Sequence, residues 1–164
     1  MKNVVLIGMP GAGKSTIGVL LAKSMLYSFV DTDLLIQREH SMSLCEIIER
    51  EGTQGFLKIE NDIISKCDFS NSVIATGGSA VYGKDAMQKL KENGTVIYLE
   101  LPVNELEKRL GNIQTRGVAM PNGNTIAELY KEREPLYKNY ADITLNCENL
   151  TAEQCVDKCI SFLK

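Results

Sequence analysis

The 164-residue chain, 44% hydrophobic, suffices for one compact domain spanning 1–164 and leaves too little for two independent cores. A formal net charge of −3 excludes broad attraction to nucleic acid or to an acidic membrane surface, and no apolar run approaches a membrane span. Five cysteines, odd in number and without paired metal-ligand spacing, indicate a reducing cytoplasm rather than a disulfide framework.

The opening MKNVVLIG reads as a strand rather than a secretion signal, with the short β-branched run Val4 to Ile7 feeding directly into glycines. Ile17, Leu20, Leu21 and Met25 then recur at helical spacing, and a second apolar run, Phe29 and Val30, ends at Asp31. Ser43 and Glu46 form a capping box for a helix ending near Gly52, and a further helix is predicted over Gln54 to Cys67. Strands at Val73 to Ala75 and Thr95 to Leu99 flank a charged helix between Lys84 and Glu92. Val103, Leu106 and Leu110 mark another helix. The segment 111–124, rich in glycine and asparagine and without periodicity, is expected to be a mobile loop. A helix from Thr125, a strand around Ile143 to Leu145 and a helix after Thr151 close the chain, the last carrying Cys155 and Cys159 as partly buried thiols. This alternation predicts a three-layer α/β/α fold around a parallel sheet.

Gly8-Met9-Pro10-Gly11-Ala12-Gly13-Lys14-Ser15 satisfies G-x-x-x-x-G-K-[ST] between a predicted strand and a predicted helix. There, backbone N–H groups at a helix N-terminus converge on phosphate oxygens, Lys14 places charge on the β and γ phosphates, and the Ser15 hydroxyl can ligate Mg²⁺. The expected ligand is ATP. Asp31 and Asp33, two apart after a strand, point the same way if the chain stays extended, one toward Mg²⁺ and the other toward the proton of an attacking hydroxyl. The competing reading makes them a helix N-cap and a first-turn acid.

Thr76-Gly77-Gly78 follows a buried strand, where missing side chains allow a small ligand close to the main chain. Arg133 falls on the apolar stripe of Ile126, Leu129 and Tyr130, where a cation requires an anion, either a ligand carboxylate or a structural partner such as Glu60. Glu60 itself interrupts the apolar series Phe56, Ile63, Ile64 and reads as a partner holding a site arginine. Arg116, in the glycine-rich loop, is either a lid arginine that meets the transferring phosphoryl group or a solvated surface residue.

Taken together, GMPGAGKSTIG, FVDTD, the Ser43 to Glu60 stretch, ATGGSAV and REPLYKNYAD resemble shikimate kinase, a nucleoside monophosphate kinase-like P-loop family, nearly end to end. The resemblance implies a five-stranded parallel sheet, a monomer, a helical substrate-binding segment over 31–62, an arginine-bearing lid over 111–124, and transfer of the ATP γ-phosphoryl group to the 3-hydroxyl of shikimate in aromatic amino acid biosynthesis. It implies nucleotide contacts at Gly11, Ala12, Gly13, Lys14, Ser15, Thr16, Arg109 and Arg116, with Lys14, Asp33 and Arg116 catalytic. Substrate contacts fall on Asp33, Gly77, Gly78 and Arg133, and Mg²⁺ on Ser15 and Asp31.

Three positions depart from the family pattern: Leu57 stands where an arginine gives the substrate carboxylate a second grip, Ser79 replaces a third glycine, and Arg116-Gly117-Val118-Ala119 replaces R-P-L-L. Lys58 is adjacent, but one helical step turns a side chain by about 100° and an ammonium has no bidentate fork. All three changes fall on the acceptor side or the lid, which keeps open a different small-alcohol acceptor, or an ATP-binding module without turnover.

Overall fold

A computed structural model of the chain describes residues 2–111, 118 and 124–164. The arginine at 116 and most of the segment 111–124 lie outside the described residues.

Five strands, β1 (Asn3–Ile7), β2 (Ser28–Asp31), β3 (Ser72–Ala75), β4 (Gly94–Glu100) and β5 (Ile143–Asn146), form one sheet in the order β2-β3-β1-β4-β5. Every pairing is parallel, and β1 and β3 are buried along their whole length, as strands covered on both faces must be. The helices are α1 (Lys14–Met25), α2 (Thr32–His40), α3 (Leu44–Lys66), α4 (Lys84–Glu92), α5 (Val103–Leu110), α6 (Ile126–Tyr140) and α7 (Ala152–Leu163). Capping boxes at Ser43, Thr125 and Thr151 start α3, α6 and α7, each side chain and its N3 partner satisfying donors that the first helical turn leaves over.

The two helices expected on either side of Gly52 are both present within α3 and meet at a kink, where Gly52 takes the non-helical φ 72° and ψ 174°. The kink lets α3 fold over its own small core of Ile36, Leu44, Ile47 and Phe56, separate from the main core around β1, β3 and β4. Cys155 and Cys159, expected to be partly buried, are fully buried in that main core, and none of the five cysteines is in a disulfide. No helix among the described residues is long and apolar enough to cross a membrane.

The sheet order places β1 between β3 and β4, and the registers Leu6 with Ala75 and Asp31 with Ala75 bring the carboxyl ends of β1, β2 and β3 level. The loops leaving these three strands carry the P-loop, Asp31 and Thr76-Gly77-Gly78. Ligands of open α/β sheets collect at this edge.

Candidate active site

A cavity of about 710 Å³ opens at that edge. Its lining includes Lys14, Asp33, Gly77, Gly78, Ser79 and Arg133, with Gly13, Ser15, Thr16 and Arg109 along one side.

The loop from Gly8 to Gly13 ends with Gly13 as the N-cap of α1 at φ 91°, left-handed backbone that a side chain disfavours. Lys14 is 8% exposed, and its Nζ donates to the carbonyls of Gly8 at 2.7 Å and Met9 at 2.8 Å. Burial pushes its ammonium down to about 8, against the attraction of Asp33. Arg109, at the end of α5, donates Nη1 to the Gly11 carbonyl at 3.3 Å and pairs with Glu105, so it stands beside the loop on the nucleotide side. A smaller cavity of about 210 Å³ continues from there between Gly13, Thr16, Arg109, Cys147 and Cys155.

Asp31 takes the helix N-cap position of the competing sequence reading, and it also meets the P-loop serine. Its Oδ1 accepts from the N–H groups of Asp33 and Leu34, which makes it the N-cap of α2, while Ser15 Oγ donates to its Oδ2 at 2.9 Å. The expectation of two extended aspartates is corrected: β2 ends at Asp31, and Asp33 sits in the first turn of α2. The helical turn, rather than strand alternation, carries Asp33 into the cavity. Burial, reinforced by the neighbouring Asp31 charge, pushes its carboxyl up to about 6.

On the opposite wall Arg133 is 1% exposed, the largest fully buried side chain among the described residues. Its Nε donates to Tyr82 Oη at 3.4 Å, and its guanidinium lies 5.3 Å from the Tyr82 ring centroid. Tyr82 donates in turn to Glu132 at 2.6 Å. Tyr137, one helical turn beyond Arg133, donates its hydroxyl to the Gly78 carbonyl at 2.6 Å and stacks on Tyr98. Gly77 N–H donates to Thr32 Oγ1 and Thr76 Oγ1 donates to the Leu6 carbonyl, so the Thr76 to Gly78 turn is tied to β1, α2 and α6.

Glu60, read from sequence as the partner of a site arginine, instead accepts a hydrogen bond at Oε1 from Ser79 Oγ at 2.6 Å. Arg133 and Lys14 act on it only as modest attractions, and burial pushes its carboxyl up to about 7. Leu57 turns away from the main cavity into a neighbouring one of about 460 Å³, alongside Lys58, Tyr82 and Glu132. Lys58 pairs with Asp62 at 2.8 Å and does not line the main cavity.

Tyr82, Tyr137 and Ser79 carry site geometry that sequence reasoning did not assign. The signal for Tyr137 was present in R-x-P-L-Y; Tyr82 approaches Arg133 from 51 positions away and leaves no local trace.

The family model for shikimate kinase matches residues 10–164. The chain is 36% identical to the shikimate kinase of Francisella philomiragia, over 99% of this chain and 94% of that one. The chain belongs to the shikimate kinase family. Among solved structures, the shikimate kinase of Acinetobacter baumannii in complex with shikimate superposes with a TM-score of 0.90 at 29% identity, covering 99% of this chain and 93% of that one. The Aquifex aeolicus shikimate kinase gives 0.82 at 29% identity, over 98% and 95%. As a shikimate kinase family member this chain is a nucleotide-binding kinase, and its five-stranded parallel sheet is the expected fold.

Proposed function

We propose that this protein catalyses the ATP- and Mg²⁺-dependent phosphorylation of shikimate at its 3-hydroxyl, as a monomer in the cytoplasm. The observation that carries the reading is the meeting, in one cavity, of a P-loop lysine, a half-buried acid and a buried arginine: Lys14, Asp33 and Arg133. A pair of substrates uses all three: a nucleotide with its phosphates at Lys14, and a hydroxy acid with its hydroxyl at Asp33 and its carboxylate at Arg133.

Gly11, Ala12, Gly13 and Thr16 offer backbone N–H groups to the β and γ phosphates, and Arg109 flanks the nucleotide. Lys14 exchanges its carbonyl contacts for phosphate oxygens. Ser15 and Asp31, hard oxygen donors already 2.9 Å apart, would hold Mg²⁺ together with those phosphates, and a bound Mg²⁺ neutralises charge on the transferring group. A site of this type needs only one or two protein oxygens, which suits the cluster here.

Arg133 grips the acceptor carboxylate with its planar fork, Gly77 and Gly78 admit the ring against the main chain, and Asp33 takes the proton from the attacking hydroxyl. The acceptor oxygen bonds to the γ-phosphorus as the bond to the β–γ bridging oxygen breaks, ADP leaves, and the proton rests on Asp33. From the family resemblance we assign Arg116 to offset negative charge on the transferring group, while Asp33 and Phe56, from the segment 31–62, line the cavity.

The test is ADP release from ATP and Mg²⁺ with graded shikimate, beside a panel of other small alcohols. Saturable turnover with shikimate is expected; turnover only with another alcohol would replace the acceptor, as Leu57 in place of the family arginine would favour.

A further inference from the structure

Ser79 lines the same cavity as Gly77, Gly78 and Arg133. A serine hydroxyl carries one proton and two acceptor lone pairs. Here the proton is committed: Oγ donates to Glu60 Oε1 at 2.6 Å. What remains on Oγ is acceptor capacity, on a residue that lines the cavity.

Glu60 is held at a cost that structure alone does not repay. It is 1% exposed, and its second oxygen, Oε2, is buried without a hydrogen-bond partner among the described residues. A Cβ on Gly77 would stand 2.9 Å from that oxygen and 2.6 Å from Asp33 Oδ1, so Glu60 lies directly beneath the acceptor floor. A fully buried carboxyl under this floor, hydrogen-bonded among the described residues to the hydroxyl of a residue that lines the cavity, orients that hydroxyl.

We propose that Ser79 is a specificity-determining residue whose Oγ, its proton fixed by Glu60, accepts a hydrogen bond from a non-reacting hydroxyl of the acceptor. The inference rests on the reading of this cavity as the acceptor site and narrows its substrate class. The acceptor is a hydroxy acid with its carboxylate on Arg133, its reacting hydroxyl at Asp33, and at least one further hydroxyl that donates to Ser79. Glu60 is then a positioning residue, and Ser79 contributes an acceptor-side contact of a different kind from the missing arginine at 57.

The experiment compares the intact protein with Ser79→Ala and Ser79→Thr, using shikimate and the two shikimate analogues that each lack one non-reacting hydroxyl. With shikimate, Ser79→Ala is expected to raise KM about 3- to 10-fold with kcat little changed, and Ser79→Thr, which keeps the hydroxyl, to recover most of the loss. With one analogue the wild type shows the raised KM already and Ser79→Ala adds nothing. Unchanged KM for shikimate in Ser79→Ala, or an equal loss on shikimate and both analogues, would overturn the contact. Calorimetric binding of shikimate in the presence of ADP and Mg²⁺ separates the two readings. Weaker binding in Ser79→Ala without turnover in either protein keeps the contact and removes the kinase assignment, whereas absence of binding in the wild type removes both.

Discussion

Arg133 and Gly78 are in steric register: a Cβ at Gly78 would stand 3.0 Å from Arg133 Nη1 and 2.8 Å from Pro10 Cδ. The glycine is what lets the guanidinium lie flat against the turn after β3 while the P-loop proline closes the other side. Gly78→Ala is therefore expected to displace Arg133, raising KM for shikimate at least about tenfold, with a stability loss of about 1–3 kcal/mol. Steady-state kinetics and thermal unfolding check both; wild-type values would show that the packing is slack.

Arg133→Lys keeps the charge and removes the fork. The lost charge-assisted bond, about 1.5–3 kcal/mol, predicts a shikimate KM raised roughly 10- to 150-fold. ATP KM should not move, since Arg133 contacts Tyr82 and the turn after β3, whereas Arg109 contacts the P-loop at Gly11, and the lysine keeps the charge. Initial rates at varied shikimate and varied ATP separate the two effects.

Asp33→Asn preserves size and removes the proton acceptor. Turnover should fall by at least about 10²-fold, with nucleotide affinity by fluorescence titration unchanged. Retention of wild-type kcat would remove Asp33 from the chemistry.

Leu57→Arg restores the guanidinium of the family pattern, but the side chain starts from the neighbouring cavity beside Tyr82 and Glu132. Glu132 competes for it, so the expected gain is small: a shikimate KM lowered by about 3- to 10-fold, and kcat unchanged. Kinetics of the variant beside the wild type measure the missing contact.

Much of this was legible locally. The P-loop, the capping boxes and the strand ends are written in contiguous residues, and Arg133 betrays itself by interrupting an apolar stripe. Asp33 was found for the wrong geometric reason, because Asp31 caps α2 one residue earlier than an extended strand would allow. The Ser79–Glu60 bond joins positions 19 apart and the Tyr82–Arg133 contact joins positions 51 apart. Neither has a periodic signature, since both depend on how α3 and α6 pack across the turn after β3.

Glu60 also gives the fold a pH dependence. Burial raises its carboxyl from 4.5 to about 7, so the folded protein binds a proton that the unfolded chain releases between those values. Stability attributable to Glu60 is thus fully present below about pH 4.5 and is lost as pH rises through about 7, by on the order of 3 kcal/mol. Glu60→Gln should show a flatter fall of Tm across that window in calorimetric scans. Parallel curves for variant and wild type would contradict a neutral buried Glu60.

The central claim is tested most directly by identifying the product. After incubation of the protein with ATP, Mg²⁺ and shikimate, mass spectrometry and phosphorus NMR should reveal one phosphate monoester, its phosphorus coupled to the proton on carbon 3 of shikimate. ADP formation with shikimate left unmodified, or a phosphate on a different added alcohol only, would contradict the account.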